Sequence, residues 1–279
     1  VVIGADTVVE TVTGEIDIDG EGGLQRSNTD ENTGVQISGT VQATGTGGAV
    51  DIYGSAGTSH LNNYGIHLNS SGSVTSVDGA IVMEGQGGGG ARANTNSNHG
   101  IFVEGAVNSS GSATITLTGF GGGSRNDGDG NIGVMVSGTA AAISSSGGLI
   151  TINGVAGGHP NDGSTNNDGV RIQAGGSVVG TNSARITIDG TGGSDADGEG
   201  VQITGADSVV SVVDGDISIT GSGEDGVELS TGTTAAVVAS GIGNISISGH
   251  ANTPDLAGGN VGTEINSIVT SGRGNVTIA

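Results

Sequence analysis

The feature that most constrains the fold is a five-residue motif: an apolar residue, any residue, a second apolar residue, any residue, and usually glycine. It recurs nine times at spacings of 28 to 36 residues, and the last copy is incomplete. The copies begin at Ile16, Val50, Ile81, Ile115, Ile150, Ile186, Ile217, Ile245 and Val276. Alternation with period two places both apolar residues on one face of a β-strand. Each copy therefore predicts a strand with one buried face, and the regular return predicts a repeat architecture.

Two further strands are predicted between successive copies. The first has the pattern G-V-x-I or a close variant, in which the apolar pair persists while the residue between varies freely. It begins at Gly34, Gly65, Gly100, Gly133, Gly169, Gly200, Gly226 and, in a weaker form, Gly262. The second is marked by a single apolar position: Val8, Val41, Val74, Val107, Ile143, Val178, Val209, Val237 and Ile268. Inward residues that stay apolar while the outward residues vary are typical of strands stacked around a buried core.

The connections indicate how the strands are arranged. From the single-apolar strand to the next I-x-I strand, the apolar positions are always 7 to 9 residues apart. From the I-x-I strand to the next G-V-x-I strand, the separation varies from 10 to 20. The second of these connections is called the variable corner. One fixed corner and one free corner predict an all-β, right-handed parallel β-helix (β-solenoid) of about nine coils. Each coil has three short strands and roughly 33 residues, and stacks about 4.8 Å from the next. A β-propeller is the main rival, but its blades need four antiparallel strands and usually contain aromatic residues.

Composition and charge exclude several classes of protein. Sixty glycines, two prolines and four aromatic residues leave only a thin aliphatic core. All six basic residues are arginine and the net charge is −22, so we expect no nucleic-acid partner and no binding to anionic membranes. The chain contains neither cysteine nor an apolar run long enough for membrane insertion. Residues 1–279 are interpreted as a single β-helix segment and as an excerpt of a longer repetitive chain.

The alternation of G-V-x-I-x-G with G-x-I-x-I-x-G resembles the secreted right-handed β-helix proteins of bacteria. The most similar are filamentous-haemagglutinin-like and autotransporter-type adhesins and other very large repetitive surface proteins. The resemblance covers the whole chain and concerns its architecture. It implies a location outside the cell or on the bacterial surface, a role as a fibre, stalk or adhesin, and no catalysis.

The variable corner is rich in Asp, Asn and Gly, which suggests a calcium site. Oxygen ligands at alternate positions of a glycine-containing turn suit Ca²⁺. The candidate ligands are Asp195, Asp197 and Glu199 in D-A-D-G-E-G, and Asp127 and Asp129 in N-D-G-D-G-N. The competing interpretation is that these are ordinary turn residues, since neither an EF-hand spacing nor tandem nonapeptides are present. We expect that the protein requires no cofactor, and calcium is the candidate for a bound ion.

Two other functions are considered less favourable. Parallel β-helices include polysaccharide-degrading enzymes, but Tyr53, Tyr64, Phe102 and Phe120 are scattered along the sequence, as are the arginines. The five histidines are not spaced like metal ligands: His60, His67, His99, His159 and His250. Ice-binding solenoids carry flat threonine arrays, and Thr116, Thr151 and Thr187 are predicted to stack. Their neighbours Asp17, Asp51, Val82, Ser218 and Ser246 interrupt the array, which favours an ordinary β-surface.

We therefore expect a structural segment of an extracellular fibre or adhesin that serves as a rigid spacer. The alternative is a calcium-dependent component of an extracellular matrix, such as a biofilm matrix, or of a surface layer. The expected partners are further coils, supplied by the same chain or by end-to-end association of copies, and cell-surface glycans or receptors that contact the variable corner. Strand edges and an apolar cross-section at a blunt end motivate the first of these expectations.

Overall fold

The chain forms a parallel β-solenoid with three sheets, which confirms the predicted fold class. The computed structural model describes residues 1–23, 32–58, 61–89, 96–123, 128–158, 165–193, 197–252 and 260–279. Within these ranges all of the regular structure is β-strand. No helix in the described ranges is long and apolar enough to span a membrane.

Each coil contributes one strand to each sheet, numbered here in chain order. The first sheet, from the G-V-x-I motifs, contains β1 (Val2–Ile3), β4 (Val35–Ile37), β7 (Ile66–Leu68), β10 (Ile101–Val103), β13 (Val134–Ser137), β16 (Val170–Gln173), β19 (Val201–Thr204), β22 (Val227–Ser230) and β25 (Thr263–Ile265). The second contains β2 (Val8–Thr11), β5 (Thr40–Ala43), β8 (Ser73–Ser76), β11 (Ala106–Ser109), β14 (Ala142–Ser145), β17 (Ser177–Gly180), β20 (Val209–Val212), β23 (Ala235–Ala239) and β26 (Ile268–Ser271). The third, from the I-x-I motifs, contains β3 (Glu15–Glu21), β6 (Ala49–Ser55), β9 (Ile81–Gln86), β12 (Ile115–Phe120), β15 (Ile150–Val155), β18 (Ile186–Thr191), β21 (Ile217–Gly223), β24 (Ile245–Ala251) and β27 (Val276–Ile278).

Every strand pairs in parallel with its counterpart one coil away. In the third sheet, for example, Ile115 aligns with Ile150, and Ile150 aligns with Ile186. The register is continuous along this sheet, whereas the second sheet has one irregularity between Ala235 and Val237. Continuous register places equivalent side chains directly above one another, so each motif position becomes a row along the solenoid axis.

The interior consists of stacked aliphatic rows, as the alternation predicts. Ile115 and Leu117 of β12 are fully buried, whereas Thr116 between them points outward. Burial of each such side chain contributes about 1.5–3 kcal/mol to stability. Each sheet has nine strands, and the outermost coils are covered on one side only; Ile278 of the last coil is 49% exposed, whereas Ile16 of the first is 7% exposed. Seven coils therefore have a neighbouring coil on both sides, slightly fewer than the predicted count of about nine coils.

Three of the predicted inward positions in the second sheet are wrong. Val8, Val209 and Ile268 point outward, and the adjacent Val9, Val210 and Val269 occupy the inward row. Pairing confirms the shift, because Val9 aligns with Val41 and Val210 aligns with Val237. At each of these places two apolar residues are adjacent, so the sequence pattern alone does not decide which of them faces the core.

Glycine closes the variable corner at its base. A Cβ atom placed on Gly119, near the end of β12, would lie 2.1 Å from the carbonyl oxygen of Gly133, which directly precedes β13. The equivalent separation at Gly154 and Gly169 is 2.0 Å. No side chain fits between backbones this close. The two glycine motifs therefore hold the ends of the corner together, and the length of the loop between them is free to vary.

Candidate functional site

The variable corner is lined by a buried ladder of asparagines. Five of them occupy the position two residues before the glycine that opens a first-sheet strand: Asn32, Asn63, Asn98, Asn131 and Asn167. The backbone N–H of each of the first four donates to the Oδ1 atom of the next, over distances of 2.6 to 3.0 Å. Because the donor and acceptor lie in successive coils, the ladder ties five consecutive corners together.

Each ladder asparagine also joins its own corner to the start of the same corner in the next coil. The Asn98 carbonyl accepts a hydrogen bond from the Gly122 N–H at 2.7 Å, and the Asn131 carbonyl accepts one from Gly157 at 2.7 Å. This ladder was not predicted from the sequence. The signal was present as N-x-G repeated before five of the G-V-x-I strands.

A buried acidic pair joins the corner of the last ladder asparagine, Asn167, to the same corner in the next coil. Asp168 is fully buried and Glu199 is 7% exposed. Their side chains are hydrogen-bonded to each other, and the Glu199 N–H donates to Asp168 Oδ1 at 3.2 Å. The Arg171 guanidinium donates to Asp168 Oδ2. The arginine thus neutralises Asp168, while Glu199 Oε2 is buried without a hydrogen-bond partner among the described residues.

Burial determines the protonation of this pair. Desolvation, followed by the hydrogen bond and charge of Asp168, raises the pKa of Glu199 to about 9. Burial also raises the pKa of Asp168, although the hydrogen bond from Glu199 and the Arg171 charge oppose this. Glu199 is therefore protonated at neutral pH, and its carboxyl group donates a hydrogen bond to Asp168.

The structure describes three of the five predicted calcium ligands and does not bring those three together. Asp195 and Asp127 lie outside the described residues. Asp197 is exposed and has a φ angle of 58°. Glu199, two residues further along, is buried inside the corner. Asp129 lies two coils away from both. The Asp129 carboxylate accepts hydrogen bonds from Thr165. Among the described residues, no group of three or more His, Cys, Asp or Glu side chains could hold a metal ion.

Two of the aromatic residues that seem scattered in the sequence meet on the outer side of the first sheet. Tyr64 lies 5.4 Å, centroid to centroid, from Phe102, and both rings contact His67 and His99. The Ile132 N–H donates to His99 Nδ1. Burial lowers the pKa of His99 to about 3, so this ring is neutral and its role is packing. His67 Nε2 lies 2.8 Å from the Glu104 carboxylate.

The other two aromatic residues lie on the outward face of the third sheet. Tyr53 of β6 and Phe120 of β12 line one shallow groove with Asp19, Glu84 and Gln86. Both rings point away from the aliphatic core, and Tyr53 is 39% exposed. Aromatic residues that are scattered along the sequence therefore line common surfaces in the structure, because parallel register brings residues about 33 positions apart onto neighbouring strands.

Further along the same face, hydroxyl groups form a regular row. Thr116, Thr151 and Thr187 align in adjacent strands as expected. The serines that interrupt the threonine pattern continue the row in register, since Thr187 aligns with Ser218 and Ser218 with Ser246. In the first coils the row changes to Asp17, Asp51 and Val82. The face is thus acidic and aromatic at one end and rich in hydroxyls at the other.

Comparison with known proteins gives no relative for this chain. No protein-family model, no curated protein and no solved structure matches it. The architecture and the side-chain chemistry described above are therefore the basis for the functional argument.

Proposed function

We propose that the chain is a structural segment of an extracellular bacterial fibre or adhesin, in which it serves as a rigid spacer. The observation that carries this proposal is the continuous parallel register of the third sheet from β3 to β27. Each added coil lengthens the solenoid by about 4.8 Å and buries a new layer of aliphatic side chains against the previous one. Added coils lengthen such a solenoid without changing its cross-section, which is the property that a spacer needs.

The closed corner supports a second part of the proposal. Loops that start from a base fixed by glycines and the asparagine ladder can differ in length and sequence without disturbing the coils. The spacer would present these loops along one edge, where they could contact glycans or receptors at a cell surface. The net charge of −22 keeps such a rod soluble and repels other acidic surfaces.

Self-association belongs to the same proposal. The outermost described strands, such as β3 and β27, pair on one side only. Their remaining backbone groups can pair with another coil, whether it belongs to the same polypeptide or to another copy. Contact between unlike ends does not close on itself, so it would produce filaments. Sedimentation and electron microscopy at increasing protein concentration would test this: concentration-dependent rods are expected, and discrete short particles at all concentrations would contradict it.

Calcium binding at the variable corner is kept as the alternative, in which the protein is a matrix or surface-layer component that needs Ca²⁺ for order. Asp197, exposed at a left-handed turn position, favours it. Differential scanning calorimetry with Ca²⁺ and with a chelator would separate the alternatives. A rise of the unfolding temperature with Ca²⁺ that is absent in Asp197→Asn would support the calcium-dependent component.

Antibody labelling of the source cells tests the location directly. Antibodies raised against the folded segment are expected to label intact cells as strongly as permeabilised cells. An antibody against a cytoplasmic protein provides the control for membrane integrity. Labelling that appears only after permeabilisation would contradict an extracellular role.

A further inference from the structure

The groove between Tyr53 and Phe120 has features that folding does not require. The buried core consists of aliphatic side chains with one methionine, so neither ring is needed to fill the interior. Both aromatic residues are on outward positions of strands whose inward positions are Ile, Val, Leu or Gly. All four aromatic residues of the chain fall between positions 53 and 120. Outward-facing rings that line one surface groove indicate a contact surface rather than a stabilising element.

The geometry suits an extended ligand. Phe120 aligns with Gln86, Gln86 aligns with Ser55, and Ser55 is two residues beyond Tyr53 on the same strand. The two aromatic positions are therefore two strands apart and offset by two residues, a separation of about 12 Å on a strand spacing of 4.8 Å and a rise of 3.3 Å. The backbone of Gly54 and Gly85 forms part of the groove, which leaves it shallow. A long, flat molecule can touch both rings, whereas a small molecule reaches only one.

The polar groups in and beside the groove are acidic. Asp19 and Glu84 line it, and Asp17, Asp51 and Glu15 are on the same face of neighbouring strands. No arginine or lysine is present among the described residues of the first three coils. This charge attracts a cationic ligand and repels an anionic one.

Aromatic faces and carboxylates together recognise one chemical class well. An aromatic ring presents a flat apolar face with a negative quadrupole, which packs against C–H groups and attracts ammonium groups. Carboxylates form charge-assisted hydrogen bonds with ammonium groups and accept hydrogen bonds from hydroxyls. A sugar ring that carries an amino group offers all of these partners. We propose that this groove binds a linear polysaccharide with protonated amino groups, of the glucosamine type.

Calorimetric titration with a glucosamine hexasaccharide tests the proposal, under mildly acidic conditions and at low salt. Measurable binding is expected for the unmodified chain. Tyr53→Ala and Phe120→Ala should each weaken it by about three- to tenfold. Glu84→Gln should weaken it as well and should reduce its dependence on salt. Tyr53→Phe keeps the ring and should retain most of the affinity.

Val155→Ala provides the matched control, because Val155 aligns with Phe120 one coil further along and is exposed. It should bind like the unmodified chain, and circular dichroism should show that every variant is folded. No binding by the unmodified chain, or equal binding after loss of both rings, would overturn the proposal. Equal binding of the fully N-acetylated hexasaccharide would overturn the role of the amino groups. The proposed extracellular role does not depend on this groove, and labelling of intact cells tests that role separately.

Discussion

Removal of one asparagine from the buried ladder should destabilise the solenoid far more than removal of an exposed asparagine. Asn98 Oδ1 accepts hydrogen bonds from the backbone N–H of Asn63 at 2.9 Å and from its Nδ2 at 2.8 Å. Both asparagines are fully buried. In Asn98→Ala the two donors lose this acceptor where water does not reach them, and each loss costs about 1–3 kcal/mol. The expected total is about 4 kcal/mol, and about 10 °C in the unfolding midpoint.

Thermal unfolding followed by circular dichroism measures this change. The matched control is Asn108→Ala, because Asn108 is exposed and accepts one bond from Ser144 Oγ at 3.2 Å. That control should shift the midpoint by no more than about 2 °C. Amide hydrogen exchange should also accelerate at Asn63 in Asn98→Ala, since local opening becomes easier. Equal midpoints for the two variants, with unchanged exchange at Asn63, would refute the assigned role of the ladder.

Two further predictions concern the core and the acidic pair. Ile152→Asp places an unpaired charge in a fully buried row and should lower the free energy of unfolding by on the order of 3–5 kcal/mol. Thr151→Asp, on the outward face of the same strand, should change it little. Similar denaturant midpoints for the two variants would contradict the register. For Glu199, the folded-state pKa of about 9 lies above the ordinary 4.5, so the folded state retains a proton that the unfolded state releases. Its contribution to stability is fully present below about pH 4.5 and is lost as pH rises towards 9, so urea midpoints should fall across this window. Glu199→Gln should flatten that fall, and an unchanged pH dependence in the variant would contradict the protonated assignment.

The coil architecture could be predicted from the sequence because its determinants are local and repeated. Parity of the I-x-I motif fixes which face is buried, as Ile115 and Thr116 illustrate. Where two apolar residues are adjacent, as at Val8 and Val9, parity is ambiguous, and the choice depends on register with Val41 in the next coil. The exposure of the outer coils also depends on stacking, which a single motif does not reveal.

The surface features were less predictable for a different reason. Glu199 was predicted as a calcium ligand, and its burial beside Asp168 was not foreseen. It precedes Gly200 just as Asp168 precedes Gly169, so alignment on these glycines would have placed the two side by side. The Tyr53 and Phe120 groove depends on the third-sheet register over two coils. Separation along the chain conceals such neighbours until the parallel pairing is known.

Distances between spin labels along one row test the rigid spacer most directly. The chain has no cysteine, so pairs of introduced cysteines can be labelled selectively. Asp17 and Thr187 are five strands apart on the outward row of the third sheet, and Asp17 and Ser246 are seven apart. At about 4.8 Å per strand, the backbone separations are about 24 Å and about 34 Å. A rigid solenoid should give two narrow distributions of inter-label distance whose maxima differ by about 10 Å. Broad distributions, or distances that do not increase with the number of coils, would contradict a rigid spacer.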